Sequence, residues 1–300
     1  MYAALENQTG SPTMSLARML IDGDHLETRL GDEHLRVYDC TTWLRLDPPR
    51  IYRVESGREA FESGHIPGAD FLDLAGELSD PELGFNFMMP APEALAKTFE
   101  AHGIGDDSEV VLYSRDNIQW ATRVWWMMRA IGFNSASVLD GGFDKWETDG
   151  RPTTTTIHKY PTASLTPRPR TGMFCDSAAV LAAMEEPNTC VINALRESLH
   201  DGSEAVNYGR PGRIPGSVNV PGIWLLDPDT KAYRPLPELK RIFAEAGALN
   251  AEKVVIYCGG GIAATSDAFT LMRLGKDAVT IYDASMSEWA NDPSLPMETG

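Results

Sequence analysis

The chain has 300 residues, 43% of them hydrophobic and 23% charged, with a net charge of −17. That is room for two domains with separate cores and the composition of an ordinary soluble globular protein. The negative charge argues against nucleic acid and anionic membrane surfaces, which are bound through excess Lys and Arg, and no apolar run reaches the length of a membrane span.

From the N-terminus, residues 1–18 are polar and lack the basic and apolar regions of a signal peptide; a flexible start is expected, with Met14 as an alternative to Met1. A first strand is expected over 37–40. Pro92 suits the first turn of a helix that Gly103 stops. Residues 110–113 ("VVLY") form a continuous β-branched apolar run, as in buried parallel strands. The apolar helical stretch "RVWWMMRAIG" follows, and then "SVLDGGFDKW". Residues 151–172, rich in Pro and Thr and without period, read as a linker that crosses between halves. After it the order repeats: a strand over 190–193, a helix from Pro237 to Gly247, a strand over 254–257, and a helix that starts near Ala263 and ends at Gly275.

The repetition is a duplication. Tyr113 and Tyr257 are 144 residues apart, Pro92 and Pro237 145, Asp140 and Asp283 143, Trp146 and Trp289 143, and "GHIPGA" at Gly64 precedes "GRIPGS" at Gly212 by 148. Five landmarks in one order with small offsets mark an internal repeat. The expected architecture is α/β, two open, mostly parallel sheets flanked by helices, with domains at 19–150 and 173–300.

The chemistry concentrates in "VVIYCGGGIAATSDAF", residues 254–269. In α/β sheets ligands bind at the carboxyl ends of parallel strands, and Cys258 stands at such an end. Gly259, Gly260 and Gly261 let successive backbone N–H groups turn inward as an anion nest, continued by Ile262 and Ala263 into the positive end of a helix. The loop is a cradle for a negatively charged sulfur. Cys40, Cys175 and Cys190 lack this setting and read as small core hydrophobes. No paired cysteine spacing suggests a disulfide framework or a zinc site, which fits a reducing cytoplasm.

From about Leu35 onward the chain resembles the tandem-domain rhodanese-type sulfurtransferases, the family of thiosulfate and 3-mercaptopyruvate sulfurtransferases. The resemblance rests on "GHIPGA", "RVWWMMRAIGF", "SVLDGGFDKW", "GSVNVP", the Cys258 loop and "YDASMSEWANDPSLP". It implies two rhodanese-like domains, the first catalytically silent, with Ser114 where the second has its cysteine. It also implies ping-pong transfer through a Cys258 persulfide, without metal or organic cofactor, from a small anionic donor to cyanide, a thiol or a thioredoxin-like acceptor. The loop departs from both C-R-K-G-V-T and C-G-S-G-V-T, Asn193-Ala194-Leu195 replaces an Asp-x-Arg opening, and Leu199 stands where the family has a substrate arginine. The donor therefore stays open between thiosulfate and 3-mercaptopyruvate. Because the loop has no charged side chain, an anion clamp is expected from Arg210 and Arg213, with Arg196 better explained as a surface ion pair. His65 is expected to hold its loop together, and Trp120 to lie in the core or at the domain interface. A phosphatase-type C-x5-R loop is excluded by Ala264, and a non-catalytic binding or redox-sensing module remains the alternative.

Overall fold

The structure is a computed structural model that describes residues 19–48 and 50–300; the expected flexible start and the choice between Met1 and Met14 lie outside the described residues. The first half runs β1 (Leu20–Ile21), α1 (Gly23–Arg29), β2 (Leu35–Asp39), β3 (Thr42–Asp47), β4 (Arg50–Ser56), α2 (Arg58–Ser63), β5 (Asp70–Phe71), α3 (Pro92–Ala101), β6 (Glu109–Tyr113), α4 (Gln119–Ala130), β7 (Ala136–Leu139) and α5 (Gly142–Thr148). The second runs β8 (Phe174–Cys175), α6 (Ser177–Glu185), β9 (Thr189–Asn193), α7 (Glu197–His200), β10 (Val218–Asn219), α8 (Leu236–Glu245), β11 (Lys253–Tyr257), α9 (Ala263–Arg273), β12 (Val279–Tyr282) and α10 (Ser285–Trp289). Among the described residues no helix is long and apolar enough to cross a membrane.

Each half builds one five-stranded sheet, in the order β1-β7-β6-β2-β5 and, correspondingly, β8-β12-β11-β9-β10. Every pairing within these two sheets is parallel. The central strands β6 and β11 carry "VVLY" and "VVIY", buried on both faces, as continuous apolar runs in parallel sheets require. One element has no counterpart in the second half and was not anticipated from sequence: the antiparallel hairpin β3–β4, inserted between β2 and α2.

The halves meet through α4 and α9, which pack on each other. Both are buried nearly all round because each lies between its own sheet and the other helix. Trp125 meets Phe269 edge to face at 4.9 Å, worth about 0.5–1.5 kcal/mol beyond the area removed from water. The Thr122 and Thr265 hydroxyls hydrogen-bond at 2.8 Å. Two further contacts repeat the duplication's symmetry: the Met89 N–H donates to Asp283 Oδ2 (2.9 Å) and the Tyr233 N–H to Asp140 Oδ1 (2.8 Å). Each half thus anchors a loop on the aspartate that ends a strand of the other.

The segment 151–172 is strapped to the first half. The Thr154 N–H donates to the His65 carbonyl, the Ala163 N–H to that of Glu100 and the Arg168 N–H to that of Ile131. The Tyr160 hydroxyl accepts from the Val37 N–H at 3.0 Å and donates to the Gly68 carbonyl at 2.7 Å.

Candidate active site around Cys258

Cys258 follows β11, between β9 and β12, at the carboxyl end of the second sheet, and is 2% exposed. The segment 285–287 grips the loop from one side. The Cys258 N–H donates to Ser285 Oγ (3.1 Å), the Cys258 carbonyl accepts from the Met286 N–H (3.1 Å), and the Gly259 carbonyl accepts from both the N–H (2.9 Å) and the hydroxyl (2.7 Å) of Ser287. Ser285 takes this position with φ +52, a left-handed backbone that non-glycine residues seldom adopt. The N–H groups from Gly259 to Ala263 donate to no protein acceptor among the described residues, and Ile262, at the N-cap of α9, makes no side-chain cap. A row of backbone donors next to a buried thiol suits an anion.

The glycines also admit what packs on the loop. A Cβ at Gly259 would lie 1.8 Å from the Tyr208 hydroxyl oxygen. At Gly261, where φ is +71, it would lie 2.8 Å from the Asp283 carbonyl and 2.9 Å from Arg123 Nη1. Gly260 is not crowded: a Cβ there would be in ordinary contact with the hydroxyls of Ser287 and Tyr52, each at 3.7 Å, and with the Phe87 ring at 3.8 Å.

Two of those neighbours come from the first half. Tyr52 stands on β4 of the inserted hairpin, and its ring meets that of Tyr208 edge-on at 6.1 Å. Burial raises the Tyr52 hydroxyl above its ordinary value, as does the charge of Cys258, while the Ser287 and Asn86 side chains pull it back. Burial also raises Tyr208 strongly, helped by Tyr52 and Cys258. Arg123, from α4, is fully buried: it pairs with Asp283 at 2.6 Å and donates to the Gly261 carbonyl at 3.2 Å and to the Phe87 carbonyl. Its charge is balanced, so it braces the loop without making the cleft cationic. Beside the loop lies a hollow of about 520 Å³ lined by Tyr52, Asn86, Asn207, Tyr208, Ser287 and Asn291 among others. A larger one, about 580 Å³, between β10 and α8, includes none of these groups.

The other residues singled out from sequence lie apart from the loop. Arg210 gives its guanidinium donors to the carbonyls of Trp289, Ala290, Asp292 and Leu295. Arg213 pairs with Glu298 and donates to the carbonyls of Gly300 (2.6 Å) and His200 (3.5 Å). Both hold the 208–213 segment to the C-terminal residues. Arg196 forms an exposed pair with Glu204 at 2.9 Å. His65 is stacked on Phe61, with its ring nitrogens against the carbonyls of Phe61 (2.7 Å) and Thr156 (3.1 Å). Trp120 is buried behind Phe87, with ring centres 5.5 Å apart. Burial pushes the Cys40 thiol well above its ordinary value, Cys175 up to about 12 and Cys190 up to about 11, which disfavours the nucleophilic thiolate at each.

Sequence reasoning missed Tyr52, Phe87, Arg123 and Tyr208. Two signals were available: a β-rich stretch in the first repeat that the second lacks, and an arginine in the middle of a largely apolar helix.

The rhodanese-like domain model matches residues 23–149 and 178–292. The chain is 31% identical to thiosulfate/3-mercaptopyruvate sulfurtransferase 2 of Arabidopsis thaliana over 93% of its own length and 86% of that protein. It is 28% identical to 3-mercaptopyruvate sulfurtransferase of Escherichia coli K12, covering 93% of itself and 97% of the relative. Among solved structures it resembles the 3-mercaptopyruvate sulfurtransferase SseA of Escherichia coli, with a TM-score of 0.78 and 25% identity over 89% of this chain and 98% of that one.

Proposed function

The chain belongs to the rhodanese family as a tandem-domain sulfurtransferase, and from this we propose that Cys258 is its nucleophile and carries the transferred sulfur as a persulfide. The thiolate attacks the outer sulfur of thiosulfate or the sulfur of 3-mercaptopyruvate, the donors named for its relatives. Sulfite or the enolate of pyruvate leaves. A thiophilic acceptor (cyanide, a small thiol or a thioredoxin-like protein) then removes the terminal sulfur and regenerates the thiolate.

The observation that carries this reading is the run of N–H groups from Gly259 to Ala263 without acceptors among the described residues, directly after a buried thiol at the end of a central parallel strand. Donors fixed by a folded loop stabilise an anionic sulfur without reorganising during the reaction. The arginines expected as a clamp turn their donors to carbonyls and carboxylates elsewhere, so in this reading the anion is met by backbone. In the first half, Ser114 donates its hydroxyl to the Asn117 carbonyl at 2.7 Å, which fits a silent repeat.

Intact mass spectrometry after incubation with each donor tests the reading. Wild-type protein gains the mass of one sulfur atom, Cys258→Ser gains none, and the Cys40, Cys175 and Cys190 variants to Ser each still gain it. Sulfur retained on Cys258→Ser would move the nucleophile elsewhere.

A further inference from the structure

The two donors make different demands. When the thiolate attacks thiosulfate, the S–S bond breaks and sulfite leaves with the electron pair; no proton is needed. When it attacks 3-mercaptopyruvate, the C–S bond breaks with its electron pair on carbon, and the resulting enolate must take a proton to become pyruvate. Apart from the hydrogen carried over on the new persulfide, the loop offers none, since Gly259, Gly260, Gly261, Ile262 and Ala263 have no acidic side-chain hydrogen. The Ser285 hydroxyl is turned to the Tyr282 carbonyl (2.7 Å) and the Ser287 hydroxyl to the Gly259 carbonyl (2.7 Å). Asp283 is paired with Arg123. Two phenols remain. Both line the hollow beside the loop: Tyr208 sets its hydroxyl end against Gly259, filling the space a Cβ there would need, whereas the Tyr52 hydroxyl stands over the middle of the loop, 3.7 Å from the Cβ position of Gly260.

We propose that Tyr52, delivered by the hairpin of the first half, protonates the carbon leaving group when 3-mercaptopyruvate is the donor. This deepens the Cys258 reading and rests on it. The phenol O–H proton passes to the enolate carbon. The new persulfide, formed as Cys258–S–SH, returns its own proton to the phenolate, so thiolate and mercaptopyruvate become persulfide anion and pyruvate with no further reactant. Burial and the nearby sulfur keep the phenol protonated until a strong carbon base forms. The hairpin, absent from the second half, then has a chemical task.

The test compares the two donors. Tyr52→Phe keeps the ring and its packing. It is expected to lower mercaptopyruvate turnover about 10²-fold, the low end of general acid catalysis, while the rate of Cys258 persulfide formation from thiosulfate stays within about twofold. A Cβ at 260 is in ordinary contact with its neighbours, so Tyr52→Phe/Gly260→Ser places a new hydroxyl in the same space and should recover at least about tenfold of the lost turnover. Equal losses with both donors, no loss, or a donor-selective loss in Tyr208→Phe instead would each overturn the assignment. So would wild-type protein that loads sulfur from thiosulfate but is inert to mercaptopyruvate, although that leaves the Cys258 reading standing. Wild-type protein that loads sulfur from neither donor would refute the Cys258 reading and the proposal with it.

Discussion

Three adjacent glycines form the loop, and replacing each in turn by alanine should give three different results. At Gly261 the new Cβ needs a left-handed backbone (φ +71), which costs roughly 1–2 kcal/mol for a non-glycine residue. It also meets a backbone oxygen, that of Asp283, at 2.8 Å, where no side chain can swing aside. Overpacking of this kind costs about 1–3 kcal/mol, so Gly261→Ala should lose about 2–5 kcal/mol in all. At Gly259 the obstacle is the Tyr208 ring, with its hydroxyl oxygen at 1.8 Å and Cζ at 2.0 Å, and the ring can turn outward. The loss there is the burial of one aromatic side chain, about 1.5–3 kcal/mol. At Gly260 every neighbour stands at 3.7 Å or beyond and φ is not left-handed. Alanine there narrows the unfolded ensemble and should be neutral or stabilising by about 0.4–1 kcal/mol. Thermal unfolding followed by calorimetry reads the series, since about 1 kcal/mol shifts Tm by roughly 2–4 °C at this size. The expected order of Tm is Gly260→Ala at or above wild type, then Gly259→Ala, then Gly261→Ala. A fall at Gly260 as large as at Gly261 would refute the reasoning, because it would mean that all three glycines serve loop flexibility and not three separate approaches.

Arg123→Met leaves Asp283 buried without its partner and should cost about 3–5 kcal/mol; denaturant unfolding measures it, and a change below about 1 kcal/mol would contradict the brace. Arg210→Ala should lower stability by about 1.5–3 kcal/mol through lost hydrogen bonds to carbonyls with donor KM unchanged, whereas Arg196→Ala should leave both untouched, its ion pair being exposed; a tenfold rise in KM for Arg210→Ala would restore the substrate clamp. His102 should make stability fall in mild alkali. Burial lowers its affinity for a proton, but hydrogen bonds to Asp70 and Glu77 outweigh this and raise it to about 9. Its folded value thus lies above the unfolded value near 6.5, so its contribution is complete below about pH 6.5 and disappears as pH rises through about 9. Melting curves from pH 6 to 10 should show that decline in wild type and a much flatter profile in His102→Gln; identical profiles would exclude His102 as its source.

What the sequence disclosed and what it withheld follow from how far each contact reaches along the chain. The Cys258 loop was legible because strand, glycines and helix are consecutive and the physics of an N–H nest is local. The central strands were legible because duplication printed the same apolar runs twice, and their ends moved by one or two residues; the shorter strands β1, β5, β7, β8, β10 and β12 were not singled out. Tyr52, Phe87 and Arg123 were not legible as site residues, since they reach the loop from 135 to 206 residues away in sequence. Arg210 and Arg213 were ambiguous for the complementary reason. Charge beside "IPGS" suggested an anion clamp, but a guanidinium with five donors is as well satisfied by the carbonyls of a C-terminal turn, and one sequence cannot tell an anion from a row of backbone oxygens.

The duplication explains why the first half matters although its own loop carries Ser114. Met89 and Tyr233 are 144 residues apart, the offset that relates the two central strands, and each donates its N–H to the other half's strand-end aspartate. The two halves therefore hold one another by equivalent contacts. Around Asp140 that contact closes a loop with no thiol. Around Asp283 the same contact fixes the segment bearing Phe87 over Gly260, while Arg123 braces Gly261 and the hairpin brings Tyr52. Losing a nucleophile from the first loop removes nothing from the second site. Losing the first half's surface would remove the brace, the wall and the phenol together, so the constraint on that half lies in its interface and not in its own loop.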